Sequence, residues 1–368
     1  MSSTEWFSKA RFGMMLHWGL YSLLAGEYRG EQMGGADNGS GELGEWAQTY
    51  FRIPCREYEK LAEAFNPVGF DAEEYARLAK EAGMNYIVLT SKHHEGFAMF
   101  KSAADRYNVV DATPYGRDIV GQFAAACKKY GLKFGLYYSQ EVDWHDPDGG
   151  AYDCGYKNVR SSWTNNWDFP DNANKDYSRC LERKIKPQVK EILTQYGEIA
   201  LIWFDTPHVI SKAQSDELYA LVKHYQPNCL VNSRIGNGVG DYTSLGDNQV
   251  PGDKKEKSML YETAATLNDT WGYKSYDQHW KSAEEVISLL TRLASRNVNY
   301  LLNIGPDHIG RIPAAAQNVL KEVGAWIKIN GEAVYGTSPS PYNVELSSGP
   351  VTEKAVSYTH LTLPTIRL

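Results

Sequence analysis

The segment Leu201-Ile202-Trp203-Phe204-Asp205 constrains the fold of this chain more than any other. Four apolar residues in a row, preceded by Ile199-Ala200, read as a parallel strand covered on both faces. Asp is depleted in strands and costly to bury. An acid at the end of such a strand is best explained if that end opens into a pocket. In a barrel of alternating strands and helices, chemistry sits at the C-terminal strand ends. The competing reading is an Asp that only caps the following loop, Thr206-Pro207.

The rest of the chain repeats this rhythm. Candidate strands end at His17 (from Phe12 to Leu16), Thr90 (Tyr86 to Leu89), Tyr138 (Phe134 to Tyr137), Asp205, Arg234 (Leu230 to Ser233), Glu262 (Met259 to Tyr261) and Asn303 (Val298 to Leu302). Between them lie amphipathic segments over 71–80, 118–130, 175–196, 215–225 and 282–296. Ser282-Ala283-Glu284-Glu285 is a capping-box signature. Pro187 should kink or divide the long 175–196 segment, and Pro313 opens a last helix that stops near Gly331. Alternation of this kind favours a parallel sheet, closed or open. An open, doubly wound sheet would carry a Gly-rich phosphate turn after its first strand. The Gly cluster Gly236-Asn237-Gly238-Val239-Gly240 follows a late strand and leads to no helix, so it is a weak dinucleotide fingerprint.

Composition narrows the partners. The 368 residues suit one large α/β barrel plus a small appendage. A net charge of −7 without a basic run argues against nucleic acid or an anionic membrane surface. The apolar runs are too short to span a bilayer. No basic, then apolar leader is visible at the start, and five scattered cysteines without a CxxC fit a reducing cytoplasm rather than a disulfide framework or structural zinc. No cofactor or metal is implied. The 10 Trp and 25 Tyr offer platforms for sugar rings, beside ordinary core packing.

Chemically capable residues recur at the strand ends. His93-His94 follows a strand, so the two rings should point opposite ways, one into the pocket and one supporting it; a purely structural pair is the alternative. Asp143-Trp144-His145-Asp146-Pro147-Asp148 reads as a solvated turn or, less simply, a cation site. Asp205 and Glu262 are two acids after short apolar strands. Two carboxylates amid histidines and aromatics is what glycosidic cleavage needs: one attacks or stabilises the oxocarbenium-like centre, the other protonates the leaving oxygen.

At this point the chain resembles the α-L-fucosidases of glycoside hydrolase family 29. The resemblance is carried, in order, by Trp6-Phe7, Ala10-Arg11-Phe12-Gly13, His17-Trp18-Gly19, Glu45-Trp46, the stretch from Leu89 to Phe97 and Gly135-Leu136-Tyr137-Tyr138-Ser139. It continues through Trp203-Phe204-Asp205, Asn232-Ser233-Arg234, Glu262-Thr263, Asn268 to Tyr273, Asn299 to Pro306 and Asn330-Gly331-Glu332-Ala333. It implies a (β/α)8-like (TIM-type) barrel and a retaining, exo-acting fucosidase of a bacterial type working on fucosylated glycans. Asp205 matches the nucleophile. His17, Glu45, Trp46, His93, His94 and Tyr138 match positions that grip fucose hydroxyls, Trp203 and Arg234 line the pocket, and Trp271 or Trp18 would face the sugar methyl. Glu262 is the first choice for the acid/base, with Asp247 its rival and Glu45 a third option. Glu95, Tyr261 and Asn297-Val298 depart from the family's usual Asp, Trp and Gly-Gly.

The expected organisation is a barrel over 1–337 and, over 338–355, a linker with only the start of a C-terminal β-sandwich. Residues 356–368 read as a tail foreign to the natural protein, since the string resembles a translated library adapter. A glycosidase for another sugar, or a fucose-binding protein without turnover, stays open, as do the linkage cleaved and assembly into a homo-oligomer.

Overall fold

The computed structural model describes residues 3–34, 43–150, 161–253, 255–342, 347 and 349–354. Its main sheet holds eight parallel strands: β1 (Phe12–Leu16), β2 (Tyr86–Lys92), β3 (Lys133–Ser139), β4 (Leu201–Asp205), β5 (Leu230–Val231), β6 (Thr243–Ser244), β7 (Tyr261–Thr266) and β8 (Asn299–Ile304). Their spatial order, β5-β4-β3-β2-β1-β8-β7-β6, is a ring cut between β5 and β6. An isolated parallel bridge, Asn232 to Tyr242, spans the cut, and the Asp241 amide donates to Val231 O at 2.7 Å. The architecture is a TIM-like (β/α)8 barrel.

Period-two alternation divides the strand residues into two populations. Met14, Leu16, Ile87, Leu89, Leu136, Tyr138, Ile202 and Phe204 face outward and pack with the helices. Met15, Val88, Tyr137, Leu201, Trp203, Ala264 and Leu301 form a separate inner cluster. The interior is therefore packed, as in barrels of this size. Phe7, on the helix Ser3–Ala10, joins the inner cluster and meets Tyr242 at 4.6 Å between ring centroids, closing the N-terminal end. Gly13 makes room inside: a Cβ there would lie 2.4 Å from the Tyr86 ring.

The outer helices begin where the sequence supplies caps. Asp71 accepts from Glu73 N ahead of Ala72–Glu81, Asp118 accepts from Gly121 N ahead of Ile119–Tyr130, and Ser282 forms the expected capping box with Glu285. The 175–196 segment is not divided at Pro187. It passes through a π-helical turn, Leu181–Ile185, just before the proline and continues as Lys186–Thr194. The wider turn absorbs the missing proline N–H.

Three strand readings change. The strand expected over Leu230 to Ser233 stops at Val231, and Ser233–Ile235 form a 3-10 helix. The strand expected to end at Glu262 instead starts there, as Tyr261–Thr266. Its small residues, Thr263-Ala264-Ala265-Thr266, hide it from a search for large apolar side chains. The two-residue β6 was not expected at all. Asn297, where a Gly pair is usual, adopts φ 65°, a left-handed conformation that Asn tolerates better than most residues. No helix among the described residues is long and apolar enough to cross a membrane. Of the expected sandwich segment, Ser338 and Glu353 form an isolated antiparallel bridge. Residues 356–368 lie outside the described residues, as does Cys154.

Candidate active site

At the C-terminal ends of the strands opens a pocket with about 520 Å3 of empty space including its mouth. Its walls are Met15, His17, Leu43, Glu45, Trp46, His93, His94, Tyr137, Trp163, Trp203, Asp205, Thr206, Arg234, Asp247 and Trp271. Strand parity explains most of this set. Leu201, Trp203 and Asp205 share the inward face of β4, and the β3 register places Tyr137 beside Trp203. His17 continues the inward parity of Met15.

The chain holds the end of β4 with side chains, because the neighbouring strand has already stopped. Asn232 Oδ1 accepts from Phe204 N at 2.8 Å and its Nδ2 donates to Phe204 O at 2.9 Å. Gln140 Oε1 accepts from Asp205 N at 2.7 Å, and its Nε2 donates to Arg234 O. Beyond, Thr206 takes φ 57°, rare for a β-branched residue, with its buried hydroxyl unpartnered. Such strain clusters at functional sites.

Asp205 and Asp247 lie on either side of one guanidinium. Arg234 Nη1 reaches Asp205 Oδ1 at 3.1 Å, and its Nη2 is in close contact with Asp247 Oδ1. Tyr137 Oη donates to Asp205 Oδ2 at 2.9 Å. The Arg234 guanidinium lies over the Trp203 ring, 4.6 Å from its centroid. Burial pushes the Asp205 carboxyl up, but Arg234 and Tyr137 outweigh it and hold the group below its ordinary value. At Asp247 the balance reverses: desolvation, helped by the Asp205 charge, outweighs Arg234 and raises it. Asp247 sits at the mouth, its side chain 46% exposed.

Glu262 is placed elsewhere. Second in β7, it pairs in register with Asn299, the first residue of β8, so it lies deep in the barrel below the pocket. Its carboxylate accepts from Tyr86 Oη at 2.7 Å and Trp203 Nε1 at 2.9 Å. Burial lifts it to about 7 against both bonds. Buried and not among the pocket walls, Glu262 is not placed to protonate a leaving group, and the expectation for it is corrected. Glu45 does line the pocket. Burial raises it to about 7, opposed by the Gly272 amide that donates to it at 2.7 Å.

Two sugar-gripping expectations also fail on parity. Tyr138 faces outward and donates to Gln188 Oε1 at 2.7 Å, while the neighbouring Tyr137 takes the inward place. Trp18 follows the inward His17, so it turns out to pack on Phe65 and Phe70, its Nε1 donating to Asp307 O. Of the two tryptophans considered for the sugar methyl, only Trp271 reaches the pocket, 5.2 Å from the His17 ring. Conversely, His93 and His94 both line it, their rings 4.0 Å apart. They stand beyond the end of β2, where alternation no longer operates. Tyr137 was legible by counting back from Asp205 across the register; Thr206 and Trp163 carried no signal.

The Asp143 to Asp148 cluster is neither a solvated turn nor an open cation site. Asp143 is buried between Lys92, at 3.0 Å, and Lys184, at 2.9 Å. Asp148 pairs with Arg179 and Arg183, and Asp146 with Arg183. Asp269, Asp277 and His279 cluster outside the pocket, where both Asp277 oxygens already accept backbone amides.

Residues 1–332 match the family model described as Alpha-L-fucosidase. The tissue α-L-fucosidase of Rattus norvegicus is 31% identical over 365 residues, spanning 91% of this chain and 70% of that protein. The α-L-fucosidase of Dictyostelium discoideum is 31% identical, spanning 91% and 72%. The solved α-L-fucosidase AlfC from Lactobacillus casei, in complex with its α-L-fucose product, is 50% identical at a TM-score of 0.84, covering 90% of this chain and 99% of that one. The α-L-fucosidase from Vibrio sp. strain EJY3 is 37% identical at a TM-score of 0.87, covering 96% and 59%. With this fold and pocket, the chain belongs to the α-L-fucosidase family of glycoside hydrolases.

Proposed function

We propose that this α-L-fucosidase is exo-acting and retaining, with Asp205 as nucleophile and Asp247 as acid/base. The observation that carries the reading is the single Arg234 side chain linking both carboxylates at one pocket. Retaining pairs stand about 5–5.5 Å apart, and inverting pairs leave room for a water between them. Asp205 attacks the anomeric carbon as its bond to the leaving oxygen breaks, and Asp247 gives that oxygen its proton. Water then loses a proton to Asp247, attacks the same carbon and frees Asp205. The blind pocket supports removal of terminal residues. A variant of the Lactobacillus casei enzyme was solved with Fucα(1,6)GlcNAc, which makes fucosylated N-acetylglucosamine the substrate class to try first. Free Cys55, Cys127, Cys180 and Cys229 support a reducing, cytoplasmic setting.

The test is hydrolysis of 4-nitrophenyl α-L-fucoside followed by NMR, with Asp205→Asn alongside. α-L-fucose as the first sugar released, and none from the variant, is the expected result. β-L-fucose released first overturns the retaining assignment, and no release by folded protein overturns the proposed activity.

A further inference from the structure

We propose that Asn303 and Ser139 are positioning residues that lock His17 and His94 in the Nδ1–H tautomer, so that both rings meet the ligand as Nε2 acceptors. The inference takes the sugar-binding reading of this pocket and adds the direction of its hydrogen bonds.

Proton direction follows from atoms that can act only one way. Trp271 O is a carbonyl and only accepts. It lies 2.8 Å from the Asn303 amide, so the atom facing it is Nδ2. The other amide atom, Oδ1, then faces His17 Nδ1 at 2.7 Å and requires a proton on that nitrogen. The same logic runs through Ser139. Its Oγ lies 2.7 Å from Val142 O, a distance at which the hydroxyl proton must lie between the two oxygens. Ser139 Oγ, its one proton spent, accepts from His94 Nδ1 at 2.7 Å. With Nδ1 tied to the wall in both rings, Nε2 is the nitrogen left for the pocket that both rings line.

Both rings are neutral, which makes the tautomer decisive. Burial lowers His17 to about 4, against Asn303 and Asp205, and Arg234 adds to the lowering. Burial lowers His94 to about 3, with Lys92 and His17 adding to it and Asp205 and Asp143 opposing. His93 is the internal control: its Nδ1 is buried without a hydrogen-bond partner, so nothing comparable selects its tautomer.

A pocket wall with two fixed acceptors demands donors from the ligand. Replacing a sugar hydroxyl by fluorine, which cannot donate, should therefore weaken binding about as much as replacing it by hydrogen. Each change should cost about 5- to 100-fold at the two hydroxyls concerned.

The first experiment needs no substrate and no turnover. Long-range 1H–15N correlation spectra of ligand-free wild-type protein with 15N-labelled histidine report each ring's tautomer. His17→Gln and His94→Gln identify the two signal sets among the nine histidines. Nδ1–H patterns at both positions are expected; an Nε2–H pattern at either overturns the proposal, whatever the enzyme hydrolyses. In Ser139→Ala the His94 pattern should become a tautomer mixture and KM should rise more than kcat falls. An unchanged His94 pattern would show that Ser139 does not select the tautomer. Deoxy and deoxyfluoro fucosides then test the ligand side on wild-type protein. Equal losses support the inference, and clear tolerance of fluorine at every position overturns it.

Discussion

Asp205 and Glu262 carry the same chemistry to different levels of one barrel. Both are acids on inward-facing strand positions, and both sit among aromatic side chains. Asp205 ends β4, meets Arg234 and Tyr137 and is held ionised. Glu262, second in β7, meets Tyr86 and Trp203 and is pushed up to about 7. The difference teaches that a perturbed carboxyl in a barrel is not by itself an active-site signal. Height along the axis decides whether the proton has anywhere to go. The deep acid still serves the site: it anchors the Trp203 indole, whose ring carries the Arg234 guanidinium.

The comparison is broken most directly at the upper level. Asp205→Asn should lower kcat for an aryl fucoside on the order of 10^4-fold or more, as removing a nucleophile does elsewhere. Retained turnover in a folded variant would remove Asp205 from the reaction. Asp247→Asn should cost about 10^2–10^4-fold. It should cost least with a leaving group that needs no proton, such as a dinitrophenolate, and an equal loss across leaving groups would argue against an acid role. Tyr137→Phe removes one hydrogen bond from ionised Asp205 and should lower kcat about 10- to 100-fold, from the 1.5–3 kcal/mol typical of bonds to charged groups. Tyr138→Phe, one residue along and facing outward, should leave kcat and KM unchanged.

The two levels also show what the sequence could reveal. The barrel was legible because strand and helix alternate with caps at Asp71, Asp118 and Ser282, and local chemistry suffices to make those elements. Asp205 was legible because a carboxylate directly after four apolar residues is locally costly. Trp18 and Tyr138 were misplaced because neighbours in sequence were read as neighbours in the pocket, whereas β geometry sends them to opposite sides. Glu262 was misplaced because the strand beyond it is built from Thr and Ala, sized to fill the interior beside Trp203 rather than to announce a strand. The link from Arg234 to Asp247 joins separate loops and has no local signature.

Glu262→Gln sharpens the comparison with the smallest expected change in kcat, within a few-fold, because the residue does not touch the pocket. Its effect belongs to stability and carries a definite pH signature. Gln offers one acceptor where two donors, Tyr86 Oη and Trp203 Nε1, converge, so one bond is lost at about 1–3 kcal/mol. The wild-type carboxyl is raised from an ordinary 4.5 to about 7, so the folded state holds its proton more tightly than the unfolded chain. Between those values the folded state binds more protons, and wild-type stability contributed by this group falls as pH rises. The variant lacks that dependence. Its deficit relative to wild type should therefore be largest near pH 5 and shrink by roughly 1–3 kcal/mol toward pH 8, an allowance set by 1.36 kcal/mol per unit. The other buried acids and histidines cancel in the difference, which isolates this one carboxyl. Urea unfolding of both proteins across that range measures it. A deficit that stays constant with pH would mean that Glu262 is ionised throughout and that the lower level of the barrel is more polar than its packing implies.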